Sequence, residues 1–159
     1  MNIPEKHLDL VENHLQQTPV KLGALAADLG LEVYKSTLPP GISGLIEPSD
    51  TAPSGYRIRL NRHEITERQR FTLAHEIAHF LLHRQDIGAG VVDDTMYRSA
   101  LSNRKEVEAN KLASRLIMPD KNVAEARKRA QYLPLEEQIE LLASEFRVSM
   151  SAMRIKLGV

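Results

Sequence analysis

Apolar positions recur along this chain with two different periods. Over residues 3–17, Leu8, Val11 and Leu15 stand three and four apart, with Pro4 near the start, which predicts a short amphipathic helix. Residues 20–29 predict a second, ended by Gly30 where a helix C-terminus favours a left-handed residue. The period then becomes two. Leu31, Val33 and Lys35 alternate with Glu32, Tyr34 and Ser36 until Pro39-Pro40-Gly41 breaks the run. Residues 42–47 and 55–60 are two more extended runs, joined by the turn-rich stretch 48–54. Together the three runs predict a small three-stranded antiparallel sheet, with Tyr56-Arg57-Ile58-Arg59-Leu60 exposing one face. Its edge could receive an extended peptide by strand addition.

Helical periodicity returns at Thr66. Thr66-Glu67-Arg68-Gln69 fits a capping box, and the helix it opens is predicted to run to about residue 82. Phe71, Leu73, Ala74, Ile77, Ala78, Phe80, Leu81 and Leu82 leave that helix little solvated surface, so it belongs in the middle of a domain. Residues 85–101 are weakly patterned, hold Gly88, Gly90 and the Asp93-Asp94 pair, and read as a long functional loop. Ser102 or Asn103 caps the next helix, which runs to Met118 and is stopped by Pro119. Further helices are predicted near 121–131, 134–146 and 151–157. The expected fold is α+β and mainly helical, one domain over residues 1–159. It divides into N-terminal helices (1–30), a small sheet (31–61), two central helices (66–119) and C-terminal helices (120–159) that end in a helical hairpin.

Composition narrows the function. Twenty-one Lys+Arg balance twenty-one Asp+Glu, so no long-range field draws the chain to nucleic acid or an anionic membrane. The absence of cysteine excludes disulfides, Cys-based zinc fingers, iron–sulfur clusters and a thiol nucleophile. No run approaches the length of a membrane span, and residues 1–10 already carry Glu5, Lys6 and Asp9, so a cytoplasmic protein is expected.

The chemistry lies inside the apolar helix, at His75-Glu76-Ile77-Ala78-His79. Residues four apart share a helical face, so both imidazoles can converge on one zinc ion. Glu76, rotated by about 100° from His75, flanks that ion and can take a proton from its water. Two histidines around a buried glutamate are hard to satisfy without an ion, which weighs against a purely structural cluster. His83 lies about 12 Å from His75 along a straight helix axis, too far to share the ion, and is expected to meet the last carbonyls of its helix.

Glu106 is the better third ligand. On its helix Ala109, Ala113, Leu116 and Ile117 form an apolar stripe onto which Glu106 and Asn110 fall, whereas Glu108 falls beside Lys111 and Arg115. Glu106 therefore points inward and Glu108 toward solvent, with Asn110 placed to hold a histidine in position. The structural alternative for Glu106 is a capping-box partner of Asn103.

Three segments together resemble the ImmA/IrrE-type metallopeptidases: Arg70-Phe71-Thr72-Leu73-Ala74-His75-Glu76-Ile77-Ala78-His79-Phe80-Leu81-Leu82-His83, Glu106-Val107-Glu108-Ala109-Asn110-Lys111-Leu112-Ala113, and Leu116-Ile117-Met118-Pro119. The resemblance covers roughly residues 20–159. It implies a gluzincin-like α+β domain, zinc held by His75, His79 and Glu106, and Glu76 as general base. Leu112 stands where the family usually has phenylalanine and Ile117 where it has leucine, both volume-conserving changes. Relatives often carry an additional sensor or DNA-binding domain, for which this length leaves no room. By resemblance the substrate is a helix-turn-helix transcriptional repressor, and some relatives are paired with such a repressor in toxin–antitoxin-like or mobile-element modules.

The expected activity is zinc-dependent peptide-bond hydrolysis in a specific protein, with no direct nucleic-acid or membrane partner. Tyr97, Arg98 and His63 are candidates for stabilising the oxyanion. The alternative is a DNA-binding or partner-binding module without proteolysis. For that reading, residues 141–153 suggest helix, turn, helix, although Arg154 and Lys156 are the only basic residues after Val148. A zinc-binding scaffold that has lost turnover is a third reading.

Overall fold

The computed structural model describes residues 3–96 and 98–159. Its elements in chain order are α1 (Glu5–His14), α2 (Leu22–Asp28), β1 (Glu32–Ser36), β2 (Ile42–Pro48), β3 (Tyr56–Asn61) and α3 (Thr66–His83), followed by β4 (Val91–Asp94), α4 (Asn103–Ile117), α5 (Asp120–Arg129), α6 (Leu135–Phe146) and α7 (Met150–Leu157). A single 3-10 turn at Arg84–Asp86 separates α3 from β4. No helix among the described residues is long and apolar enough to cross a membrane.

The class is α+β as expected, but the sheet differs from the antiparallel three-stranded prediction. It has four strands in the order β1-β3-β2-β4, and β1 runs parallel to β3. The three-strand reading assumed that neighbours in sequence are neighbours in space. Two reversals of the chain instead bring β3 back beside β1 in the same direction. β2 lies on the far side of β3, antiparallel to it, and β4 pairs antiparallel with the outer edge of β2. Tyr56–Asn61 is therefore interior to the sheet, with both edges already paired, and cannot accept a substrate strand. The stretch expected to be loop between α3 and α4 supplies the fourth strand.

α3 lies between this sheet and α4. Ala74, Ile77 and Ala78 of α3 are fully buried, facing Ala109, Ala113, Leu116 and Ile117 of α4 on one side and Ile46, Ile58 and Leu60 of the sheet on the other. Small residues on both helices allow the close approach that the site requires. The capping box at Thr66 is absent. Ile65 precedes the helix without a side-chain cap, and Gln69 Nε2 instead donates to the carbonyl of Asn61, 3.0 Å away. Ser102 does cap α4, accepting from the Lys105 amide. α6 and α7 form the expected hairpin around Arg147, whose φ of 55° is left-handed. Ile139, Leu142, Phe146 and Met153 bury it against the core. Arg154 pairs with Glu136, and Lys156 reaches Asp120 at 2.5 Å.

Candidate metal centre

Three histidines spaced by four residues line one face of α3, and all are buried: His75 and His79 completely, His83 to within 5%. Their hydrogen bonds determine which nitrogen of each ring faces the cluster. His75 Nδ1 lies 2.9 Å from Asn110 Oδ1, and an amide oxygen only accepts, so Nδ1 carries a hydrogen and Nε2 is the atom turned toward Asp93 and His79. His83 Nε2 lies 3.1 Å from Glu108 Oε1 and donates to it. The Nδ1 of His83 then accepts from the Nδ1–H of His79 across 3.2 Å, which leaves His79 Nε2 turned toward His75. The two Nε2 atoms face each other at 3.0 Å. Two lone pairs at that separation repel unless a proton or a cation lies between them.

Carboxylates close the remaining sides. Glu106, from the first turn of α4, sets Oε2 3.3 Å from His75 Nε2 and Oε1 3.2 Å from His79 Nε2. Ser99 Oγ donates to Glu106 Oε1 at 2.5 Å and fixes its orientation. Asp93 of β4 sets Oδ1 3.3 Å from His75 Nε2 and 3.8 Å from His79 Nε2. His75, His79, Asp93 and Glu106 each offer an atom within 4.8 Å of those of the others.

The way Asp93 arrives there depends on one glycine. A Cβ on Gly44 would stand 2.6 Å from Thr72 Cγ2 and 2.9 Å from the carbonyl of Arg59, so β2 approaches α3 more closely than any side chain permits. Thr72 is one helical turn before His75, and Asp93 is paired opposite Gly44. The pairing between β2 and β4 shifts by one residue between Ile42 and Gly44, and such a bulge turns the facing side chains. The close approach and the bulge together deliver Asp93 to the histidines.

The electrostatics follow from this packing. Burial alone would lower the pKa of His75, but hydrogen bonds and charges from Asp93 and Glu106 outweigh it and raise the value to about 9. His79 is raised in the same way, against its own burial and the repulsion of His75. Burial would raise Glu106, yet the two histidines and Ser99 bring it down to about 2. Asp93 is likewise held well below the ordinary carboxylate range in spite of its burial, by Glu76 and both histidines. Glu76 moves the other way: complete burial, then the negative charges of Asp93 and Glu106, push it well above the usual value.

The residues suit a small cation. Donors bound at about 2.0–2.1 Å around a tetrahedral ion stand about 3.3–3.4 Å apart. The separations among His75, His79 and Glu106 are 3.0, 3.2 and 3.3 Å. Among the described residues both oxygens of Glu76 and Oδ2 of Asp93 are buried without a hydrogen-bond partner. Native interiors tolerate few such atoms, and a cation at the centre relieves them.

Of the residues expected from sequence, His75, His79, Glu106 and Asn110 come together, with Glu76 fully buried beside them on α3. His63 is exposed, and Arg98 is exposed and turned toward Asp94; neither belongs to the cluster. Tyr97 lies outside the described residues. Two expectations change. His83 does not cap its own helix but props His79, and Glu108, expected to be solvated, holds His83 in turn. The spacing 75, 79, 83 was the available signal for His83. Asp93 had none beyond its place in an acidic pair.

The family model described as Peptidase_M78, IrrE N-terminal-like domain, matches residues 26–158 of this chain. No curated protein matches it.

Proposed function

The chain belongs to the Peptidase_M78 family, and from that premise we propose that it is a zinc-dependent endopeptidase whose site is His75, His79, Glu106 and Glu76. The observation that carries this reading is the convergence of His75 Nε2 and His79 Nε2, 3.0 Å apart, on the Glu106 carboxylate, with the completely buried Glu76 beside them on α3. His75 and His79 would hold the ion through Nε2 and Glu106 through its carboxylate. When bound there, zinc supplies Lewis-acid polarisation of the scissile carbonyl and lowers the pKa of water.

The protein's own groups do the rest. Asn110 and the His83–Glu108 pair fix the tautomers of the two histidines. Glu76 accepts one proton of the attacking water on a carboxylate oxygen as that water's oxygen bonds to the carbonyl carbon. The carboxyl then gives the proton to the leaving amine nitrogen as the C–N bond breaks.

The substrate we propose is a helix-turn-helix transcriptional repressor, supported by the family resemblance alone. Two experiments test the reading. Metal analysis by mass spectrometry should find one equivalent of zinc in the wild type and in Glu108→Ala, lost in Glu106→Ala; a folded wild type that takes up no metal would overturn it. Labelling of new protein N-termini in cells producing wild type or Glu76→Gln should reveal a cut inside a repressor only with the wild type. Glu76→Gln should retain its metal while turnover falls by about 10²–10⁴-fold.

A further inference from the structure

The donor set around the centre has four members, one more than a zinc peptidase site uses. Catalytic zinc sites hold the ion with three protein ligands and keep the fourth position for water or substrate, whereas four protein ligands make a closed site. Asp93 Oδ1, at 3.3 and 3.8 Å from the two Nε2 atoms, stands where a fourth donor belongs, close to the spacing of about 3.3–3.4 Å between tetrahedral ligands. Its side chain is completely buried, and Oδ2 has no hydrogen-bond partner among the described residues.

The four donors differ in how they are held. His75, His79 and Glu106 come from α3 and α4, two long helices packed along each other in the core. Asp93 comes from β4, a four-residue strand at the edge of the sheet, paired on one side only, through β2. β4 also covers the edge of β2 that runs past the centre. One short segment thus fills both the fourth position at the ion and the edge at which an extended peptide could pair.

We propose that Asp93 is a fourth protein ligand that closes the site in the resting protein, and that β4 must leave the edge of β2 before a substrate can be cut. An incoming extended peptide that pairs with β2 takes the place of Val91–Asp94 and its carbonyl takes the place of the Asp93 carboxylate. The inference rests on the metal reading above.

The test uses the full chain loaded with cobalt(II), whose visible absorption reports its ligands, and acetohydroxamate as a small probe of an open position. In the wild type the probe should bind weakly. In Asp93→Ala it should bind about tenfold more tightly or better, while cobalt itself, measured by competition with a chelator, is held about tenfold more weakly. Asp93→Asn, which keeps the volume and the strand, should move both affinities in the same directions and stands in if the alanine variant does not fold. Probe affinities within twofold across the wild type and the folded variants would overturn the fourth-ligand assignment and leave the three-ligand site intact. A wild type that takes up no cobalt would overturn the metal reading and this inference with it.

Discussion

Asn110 Oδ1 stands 2.9 Å from His75 Nδ1 although 35 residues separate them in sequence. That contact joins α4 to α3 at the level of the His75–His79–Glu106 cluster and decides which nitrogen of His75 faces it. Groups that orient metal-binding histidines typically contribute about 10–100-fold to metal affinity. Asn110→Ala should therefore weaken zinc binding by about that factor, and Asn110→Asp should restore most of it, because either carboxylate oxygen accepts the Nδ1–H. Chelator competition reads the change. Equal affinities for Asn110→Ala and the wild type would remove Asn110 from the site.

His83 plays the matching part for His79, with Glu108 behind it. His83→Ala removes the acceptor of the His79 Nδ1–H and should lower zinc affinity by about tenfold. Glu108 is half-exposed, with 41% of its side-chain surface open to water. Water can replace it, so Glu108→Ala should have a smaller effect than His83→Ala. The reverse ranking would mean that His83 does not set the tautomer of His79.

Gly44 lets the sheet approach α3. Adding a methyl group there forces Cβ to within 2.6 Å of Thr72 Cγ2 and 2.9 Å of a backbone oxygen, and the latter cannot rotate away. Gly44→Ala should destabilise the fold by about 1–3 kcal/mol, the usual cost of overpacking, read from the midpoint of urea unfolding. An unchanged midpoint would show that the sheet and helix can separate freely at this contact.

Glu32 supplies a pH dependence remote from the metal centre. Thr51 Oγ1 and Ser49 Oγ each donate to its carboxylate at 2.7 Å, and these two hydrogen bonds hold its pKa below the ordinary glutamate value. A carboxylate whose folded pKa is depressed stabilises the fold above its unfolded pKa and loses that contribution as pH falls through the folded one. The loss belongs on the acid side of the usual glutamate range. Thr51→Val should move the Glu32 titration midpoint upward by NMR, toward the ordinary value. A midpoint that stays where it is in the wild type would show that Thr51 does not hold the ionised form.

Much of the centre is written in helical periodicity. His75 and His79 share a face because they are four apart. Glu106 and Asn110 fall on the stripe defined by Ala109, Ala113, Leu116 and Ile117, which predicts an inward carboxylate with an amide one turn later. Those relations depend only on the geometry of a single helix, and the residues themselves carry it. The α+β class and the C-terminal hairpin were legible for the same reason.

Contacts between elements were not. Glu108 reads as solvated on its own helix, and only the end of α3 lying beside it supplies His83 as a partner. Gln69 sits where a capping-box residue would accept from a backbone N–H, but its Nε2 instead donates to the carbonyl of Asn61, which the chain path brings beside it. A strand pairs with whatever the chain path places beside it, so neither the parallel pairing of β1 with β3 nor the interior position of β3 follows from alternation of residues. Asp93 is the sharpest case. Its four-residue strand has no periodic signature, and it reaches the histidines because Gly44 admits β2 to within contact of Thr72 and a bulge turns β4 toward them. The sequence by itself determined the three helix-borne donors and the buried glutamate, through local periodicity. Tertiary packing alone decided that a further carboxylate, Asp93, would join them, because long-range strand pairing depends on the whole chain path.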